Sequence, residues 1–355
     1  MLTEWSNDNS RVIEQAIGSQ VFNAEPNVID WNNAFLCFLE STATYLRDWG
    51  SFFEAWKTFR ESIFDDLDDE QRGQKRAQAL TLFKDSTSQI EELAKTWGLG
   101  FMVICDLIED EPEGQSTWNG CYCGAFYTLD AQVEKPFIGL AFKGTNPLKS
   151  EERLIDFNYQ LQTATGYLDN NQVAQGWYTG LFGDFRSVGV PFEHILEATG
   201  ALAKTISPTK DVRVHVTGHS LGGAYATLCY AQMLIATGPE PRTLPLVMGD
   251  KLNFGAPRVG NDNWAKWYLN LVEKGPGQSW RVIYDNDIVP KVPATSLRKD
   301  QTQFWHVDKG MQIFKDKDPV FVPSELDQKD PQPPVEFDSL DALKKDVINS
   351  TAHRE

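Results

Sequence analysis

The chain has no basic cluster. Its 355 residues hold 33 Lys and Arg against 50 Asp and Glu, a formal net charge of -17. Nucleic acid and anionic membrane surfaces are bound through clustered Lys and Arg, so neither is an expected partner. Neutral lipid and uncharged esters are not excluded by that balance. Long hydrophobic runs are also missing: none approaches the ~18–20 residues of a membrane span. Met1-Leu2-Thr3-Glu4-Trp5 has no signal-peptide pattern, which leaves localisation open between a cytoplasmic protein and a secreted one with its signal removed. Cysteine is scarce. Cys37, Cys105, Cys121, Cys123 and Cys229 are too few for a disulfide scaffold. Cys121-Tyr122-Cys123 lacks the second cysteine pair of a zinc site, so no metal and no organic cofactor is expected. The sequon Asn349-Ser350-Thr351 matters only in a secreted chain.

What is present describes a globular protein, with 41% hydrophobic and 12% aromatic residues. A chain of this length buries a large core and reads as one domain. Its organising stretch is Val212 to Ala224. Val212, Val214 and Val216 alternate with Arg213, His215 and Thr217, the period of a strand. Gly218-His219-Ser220-Leu221-Gly222 follows, and Ala224 to Ala236 is apolar and free of Gly and Pro, as a buried helix is. Strand, G-x-S-x-G and helix together form the setting of a nucleophile elbow. A sharp turn there leaves no room for a Cβ beside the serine, and the helix start presents free N–H groups to developing negative charge.

Residues 1–100 read as a helical N-terminal region packed on a catalytic core over 120–355. Trp31 through Trp49 is expected as one helix closed by Gly50, and Ser51 to Phe64 as a second. Asp65 to Arg72 is an acidic connector, and Lys75 to Thr96 a third helix. Their aromatics, at helical spacing, are expected in the core. The sheet is expected to begin with Tyr122 to Leu129 and Phe137 to Phe142. The latter ends in Lys143-Gly144-Thr145-Asn146. A strand ending in Gly-Thr upstream of the elbow is where a second oxyanion donor belongs. Asn146 to Gln162 is amphipathic and reads either as a mobile lid or as a packed surface helix. Helices are expected from Gln175 and over Pro191 to Lys204 and Trp264 to Lys274, with strands over Lys251 to Pro257 and Ser279 to Tyr284. Lys315 to Glu336, rich in Pro and Asp, is expected as a loop, and Leu340 to Ile348 as a last helix. Strands alternating with helices indicate a largely parallel α/β sheet flanked by helices.

A serine hydroxyl needs a base to take its proton and an acid to hold that base. In the order Ser, acid, His, Ser220 comes first. The acid belongs on a loop after a later strand, which selects Asp285 or Asp287. His306 and His353 are the two histidines downstream. His306 lies in the strand-like run Gln303 to Val307, where a structural role is usual, whereas His353 lies in a polar segment suited to catalysis. His194, His215 and His219 read as structural.

Four motifs in order are recognisable. Val216 to Ala224 resembles the elbow of the lipase class 3 family, the fungal triacylglycerol-lipase type. Ala141-Phe142-Lys143-Gly144-Thr145 is similar to that family's oxyanion strand. Asn253 to Asn261 is similar to its post-elbow strand, and Asn286 to Pro293 to its acid loop. The resemblance covers about residues 120–310. It implies an α/β-hydrolase fold, Asp287 as the acid, His353 as the base, and Thr145 and Leu221 as oxyanion donors. It also implies a lid over about residues 146–166. The function implied is a serine carboxylic-ester hydrolase acting on acylglycerols or other lipid esters, including at an oil–water interface. A soluble esterase, including a feruloyl type, is the alternative within the class. An inactive binding protein on the same fold is the alternative outside it.

Overall fold

The computed structural model describes residues 14–15, 28–107, 109–110, 116–117, 121–129, 135–144, 160–185, 189–238, 244–285, 287, 289–293 and 304–327. Eight strands form the main sheet: β1 (Leu99–Asp106), β2 (Tyr122–Thr128), β3 (Phe137–Phe142), β4 (Val212–His219), β5 (Leu246–Phe254), β6 (Ser279–Tyr284), β7 (Lys309–Ile313) and β8 (Val320–Val322). Their order in space is their order in sequence. Strands β3 through β7 run parallel, while β1, β2 and β3 pair antiparallel, as do β7 and β8. Parallel neighbours need crossovers, usually helical. Helix α6 (Pro191–Ile206) precedes β4, α7 (Leu221–Ala236) joins β4 to β5, and α8 (Asp262–Lys274) joins β5 to β6. This is the mostly parallel, helix-flanked sheet of an α/β-hydrolase, as expected.

The period of two sorts each strand between two layers. In β3, Ile138, Leu140 and Phe142 pack with Val212, Val214 and Val216 of β4 and with Ala224 and Leu228 of α7. Phe137 and Ala141 face the other way, onto Leu36 and Leu39 of α1 (Trp31–Ala43) and Ile90 and Leu93 of α4 (Ser88–Thr96). On that second face β4 presents polar groups, and α1 satisfies them. Thr217 Oγ1 donates to the Cys37 carbonyl at 3.0 Å. His215 Nε2 meets Glu40 Oε2 at 2.6 Å, with both side chains fully buried. Gly139 makes room for that pair, because a Cβ there would lie 2.4 Å from Glu40 Oε1 and from His215 Nε2. Removing one member of a buried pair strands the other. Glu40→Ala is therefore expected to lower stability by about 3–5 kcal/mol in urea denaturation, and a near-neutral value would mean that α1 is not held this way.

The N-terminal helices differ from expectation in their breaks. Trp31 to Trp49 is not one helix closed by Gly50. Helix α1 ends at Ala43, a 3-10 turn spans Thr44–Leu46, and α2 (Trp49–Phe64) starts anew. The cause is Asp48, whose carboxylate accepts the Gly50 and Ser51 amides at 2.9 and 3.3 Å and so caps a new start. Lys75 to Thr96 likewise divides. Helix α3 (Asp69–Asp85) opens with a capping box between Asp68 and Gln71. It ends where the Ser86 and Thr87 hydroxyls turn back onto the Phe83 and Lys84 carbonyls, and α4 follows. The aromatic-core expectation fails on α1, where Trp31 and Phe38 are exposed and the core is made by Leu36 and Leu39, and on the α2–α3 hairpin, where Phe53 and Phe59 are exposed and Phe64 is 74% accessible. Those two helices pack mainly on each other.

Three strands of the main sheet have no counterpart among those expected from the sequence. Strand β1 begins directly after Gly98, whose φ of +74° turns the chain out of α4. Strand β7 was not anticipated, and the expected loop from Lys315 contains edge strand β8. The Lys251 strand starts earlier, at Leu246, and the strand-like run around His306 is reduced to one bridge between Trp305 and Gly260. Of the proposed lid, residues 146–159 lie outside the described residues, as does Leu340 to Ile348. Residues 161–163 pair with 172–174. All five cysteines are buried and unbridged. Among the described residues no helix is long and apolar enough to cross a membrane.

Candidate active site

Ser220 sits between the end of β4 and the first residue of α7, with φ 55° and ψ -127°. A non-glycine residue in that region is strained and needs surroundings that enforce it. The enforcement is visible on both sides. A Cβ on Gly218 would lie 2.3 Å from the Gly222 carbonyl oxygen, and one on Gly222 would lie 2.2 Å from the Phe142 carbonyl oxygen. Strand β3, the elbow and α7 thus meet backbone to backbone. The Ser220 amide is tied to the Phe254 carbonyl at 2.9 Å, and its carbonyl accepts the Gly223 amide at 2.9 Å. Leu221, as the first residue of α7, carries one of the amides that no intrahelical acceptor serves. Thr145 and His353 lie outside the described residues.

Of the two acid candidates, the fold brings one to the elbow. A Cβ on Gly255, which has φ +57°, would lie 2.7 Å from Asp287 Oδ2 and 4.0 Å from His219 Nε2. Gly255 follows the residue that holds the Ser220 amide, so the Asp287 carboxylate reaches the underside of the turn. Its other oxygen accepts the Val289 amide at 3.1 Å, which fixes the loop. Asp285 is exposed, and its backbone is spent on β7: its amide donates to the Ile313 carbonyl and its carbonyl accepts from Gln312.

The acid loop is clamped from the post-elbow motif. Arg258 Nη1 donates to the Lys291 and Pro293 carbonyls at 2.8 and 3.1 Å, and Nη2 to Glu325 at 2.8 Å. Two motifs that look independent in sequence are therefore one device. Glu325 also accepts the His306 amide at 2.8 Å. Burial pushes the Glu325 carboxyl up, but the charge His306 takes on at low pH, then the Arg258 fork and the His306 amide, outweigh it and bring it down to about 2. A carboxyl depressed in the fold lends stability that is complete above its unfolded value, near 4.5, and lost as pH falls towards 2. Thermal unfolding is expected to show that decline over this window, and Glu325→Gln to remove its share of the slope. An unchanged slope in the variant would show that the clamp does not carry it.

His306 is not placed to act as a base. Its Nε2 donates to the Pro290 carbonyl at 2.6 Å, and burial, then the nearby Arg281 charge, hold it well below the usual imidazole range. It is a neutral strut between the acid loop and Glu325, in keeping with the structural reading. His215 is structural too, in its pair with Glu40. His219 is more than filler, because its Nδ1 meets the Tyr45 hydroxyl at 2.8 Å.

Tyr45 is the residue that sequence reasoning missed. A Cβ on Gly144 would lie 2.3 Å from Tyr45 Oη and 3.1 Å from Ser220 Cβ. A phenol from the N-terminal region therefore stands at the exit of β3 beside the nucleophile. Burial pushes its pKa well up, so it stays protonated. Lys143, in the same corner, has its ammonium 4.8 Å from the centroids of both Tyr45 and Trp49. Burial, then repulsion from Arg47, lowers it to about 8. No local pattern announces Tyr45, which is 174 residues from His219.

Among the described residues one group has metal-ligand chemistry: Cys37, Glu40 and His215, whose ligand atoms lie within 4.8 Å of one another. Glu40 and His215 are already spent on each other. Ser220 thus stands on a strained turn, with the Asp287 carboxylate against Gly255 and the amides of a helix start beside it.

The chain is 25% identical over 259 residues to triacylglycerol lipase OBL1 of Arabidopsis thaliana, covering 67% of this chain and 47% of that protein. It is 34% identical over 112 residues to secreted mono- and diacylglycerol lipase 1 of Fusarium solani, covering 31% and 29%. The chain thus spans about half, or less, of the length of these relatives. Among solved structures, the native propeptide complex of Rhizomucor miehei lipase is similar with a TM-score of 0.43 at 16% identity, covering 85% of this chain and 75% of that one. The family model described as lipase (class 3) matches residues 139–297, which contain the oxyanion strand, the elbow, the post-elbow strand and the acid loop. Over these residues the chain matches the lipase (class 3) family.

Proposed function

We propose that the protein is a serine carboxylic-ester hydrolase acting on acylglycerols or related lipid esters. Ser220 Oγ attacks the ester carbonyl while His353 takes its proton, and the alkoxide leaves as an alcohol protonated by His353. Water then releases the acid from the acyl-serine by the same steps in reverse roles. Asp287 orients the imidazole and stabilises its charged form. The amides of Leu221 and Thr145 hold the tetrahedral oxyanion, each worth ~10²–10³ in rate. The observation that carries this reading is Ser220 itself, at φ 55° between two glycines whose Cβ positions are filled by backbone, with the Asp287 carboxylate against Gly255. Support for the substrate class comes from the relatives, named as triacylglycerol and mono- and diacylglycerol lipases.

The test is hydrolysis of p-nitrophenyl esters of rising chain length, with and without an emulsion, together with labelling by a serine-directed phosphonate. An adduct on Ser220 and turnover that rises at the interface are expected, with His353→Ala folded but inactive. Turnover confined to short esters, with no gain at an interface, would select the soluble esterase. No adduct and no turnover would leave a binding protein on a hydrolase fold, and a fully active His353→Ala would remove that residue from the triad.

A further inference from the structure

Between α2 and α3 lies a cavity of about 430 Å³, within the ~300–1,000 Å³ of small-molecule sites. Its walls are Phe52, Trp56, Phe59, Leu80, Phe83 and Leu107, with Arg76 at an exposed edge. Below it the Arg47 guanidinium stands 3.8 Å from the centre of the Phe52 ring and is paired with Asp106, so those two charges offset each other. The cavity is therefore a largely apolar slot, with Asp106, held by Arg47, the one carboxylate in its lining.

A row of rings joins it to the nucleophile. Tyr45 stands beside Ser220, and the Lys143 ammonium lies between Tyr45 and Trp49. Trp49 meets Phe52 edge-on at 5.6 Å, and Phe52 stands 6.1 Å from Phe83 across the slot. All of these rings come from outside the segment that matches the family model. A continuous row of packed rings, with the Lys143 ammonium among them, thus runs from beside Ser220 to the slot.

We infer that the α2–α3 hairpin is the acyl-chain subsite, taking a long unbranched fatty-acyl chain whose carbonyl sits at Ser220. The inference rests on the ester-hydrolase reading and extends it. Taking about 30 Å³ per chain carbon, comparable to the share of liquid volume of one water, the slot holds on the order of a dozen carbons. No bond is made or broken there; the subsite selects which esters reach the elbow.

The experiment compares kcat/KM for p-nitrophenyl palmitate and butyrate in the full chain, in Ala79→Phe and in Leu80→Glu. Ala79 is a buried wall residue, so a ring there fills the slot, whereas Leu80 is 54% exposed and tolerates a charge that the chain would meet. One methylene in an apolar pocket changes discrimination by about tenfold or more. Both variants are therefore expected to lower the palmitate-to-butyrate ratio at least about tenfold. Should Ala79→Phe fail to fold, Leu80→Glu alone decides. A ratio that stays at the wild-type value, with butyrate still cleaved, overturns the subsite and leaves the hydrolase intact. Weaker binding of free palmitate without a change in the ester ratio also overturns it, in favour of a separate fatty-acid site. A wild type that cleaves neither ester sinks both readings.

Discussion

Asp287→Asn is expected to lower kcat/KM for a butyrate ester about 10⁴-fold, while Asp285→Asn stays close to the wild type. An amide at 287 keeps the shape of the side chain, so the loop and Gly255 need not move. It cannot accept the imidazole proton on both oxygens or offset the imidazolium charge, and the ring settles in the wrong tautomer. The two aspartates stand on opposite sides of one loop. Asp287 lies against Gly255 beneath the elbow, and Asp285 is committed through its backbone to β7. Steady-state kinetics of the two variants, with thermal unfolding to show that each is folded, decide the matter. The opposite ranking would move the acid role to Asp285.

Gly222→Ala is expected to damage stability and rate together. The added Cβ would lie 2.2 Å from the Phe142 carbonyl oxygen and 2.7 Å from the Lys143 carbonyl carbon. Both are backbone atoms, and neither can swing aside as a side-chain tip does. Strand β3 and the start of α7 must separate, at a cost of roughly 1–3 kcal/mol or more. Those two segments carry the proposed oxyanion amides, so kcat is expected to fall by ~10²–10³ as well. Gly73→Ala is the control: it lies within α3 with nothing inside 4 Å of its Cβ, and it is expected to stabilise by about 0.5–1 kcal/mol. Denaturant titration and initial rates measure both effects. A Gly222→Ala protein as stable and as fast as the wild type would show that strand and helix are not in backbone contact.

Much of the catalytic core was legible because its signals are local. The alternation of Val212, Val214 and Val216, the glycines about Ser220 and the apolar run after Leu221 each act within a few residues, and β3, β6 and the elbow helix fall where they were expected. The N-terminal helices were legible in kind but not in extent. Their breaks depend on where Asp48, Ser86 and Thr87 spend their side chains, and those residues fit a helix interior almost as well as a cap. Strands β7 and β8 are too short to carry a periodic signal, and β1 is an almost wholly apolar run without alternation, which periodicity does not separate from a buried helix. The exposed rings of α2 and α3 were misread for a related reason. Helical spacing says that a face is apolar, and says nothing of whether a neighbour covers it.

The sequence by itself determined the elbow, the order of the motifs and the pair of aspartates from which an acid would come, since each is encoded in a run of adjacent residues. The tertiary structure sets Asp287, the acid that the motif resemblance implies, against Gly255 below the turn. The same structure set Arg258 as the clamp on the acid loop, paired Glu40 with His215 and brought Tyr45 to the nucleophile. Those contacts join positions up to 175 residues apart. They exist because a sheet stacks distant segments side by side, and nothing in the neighbourhood of either residue along the chain records which one it will meet.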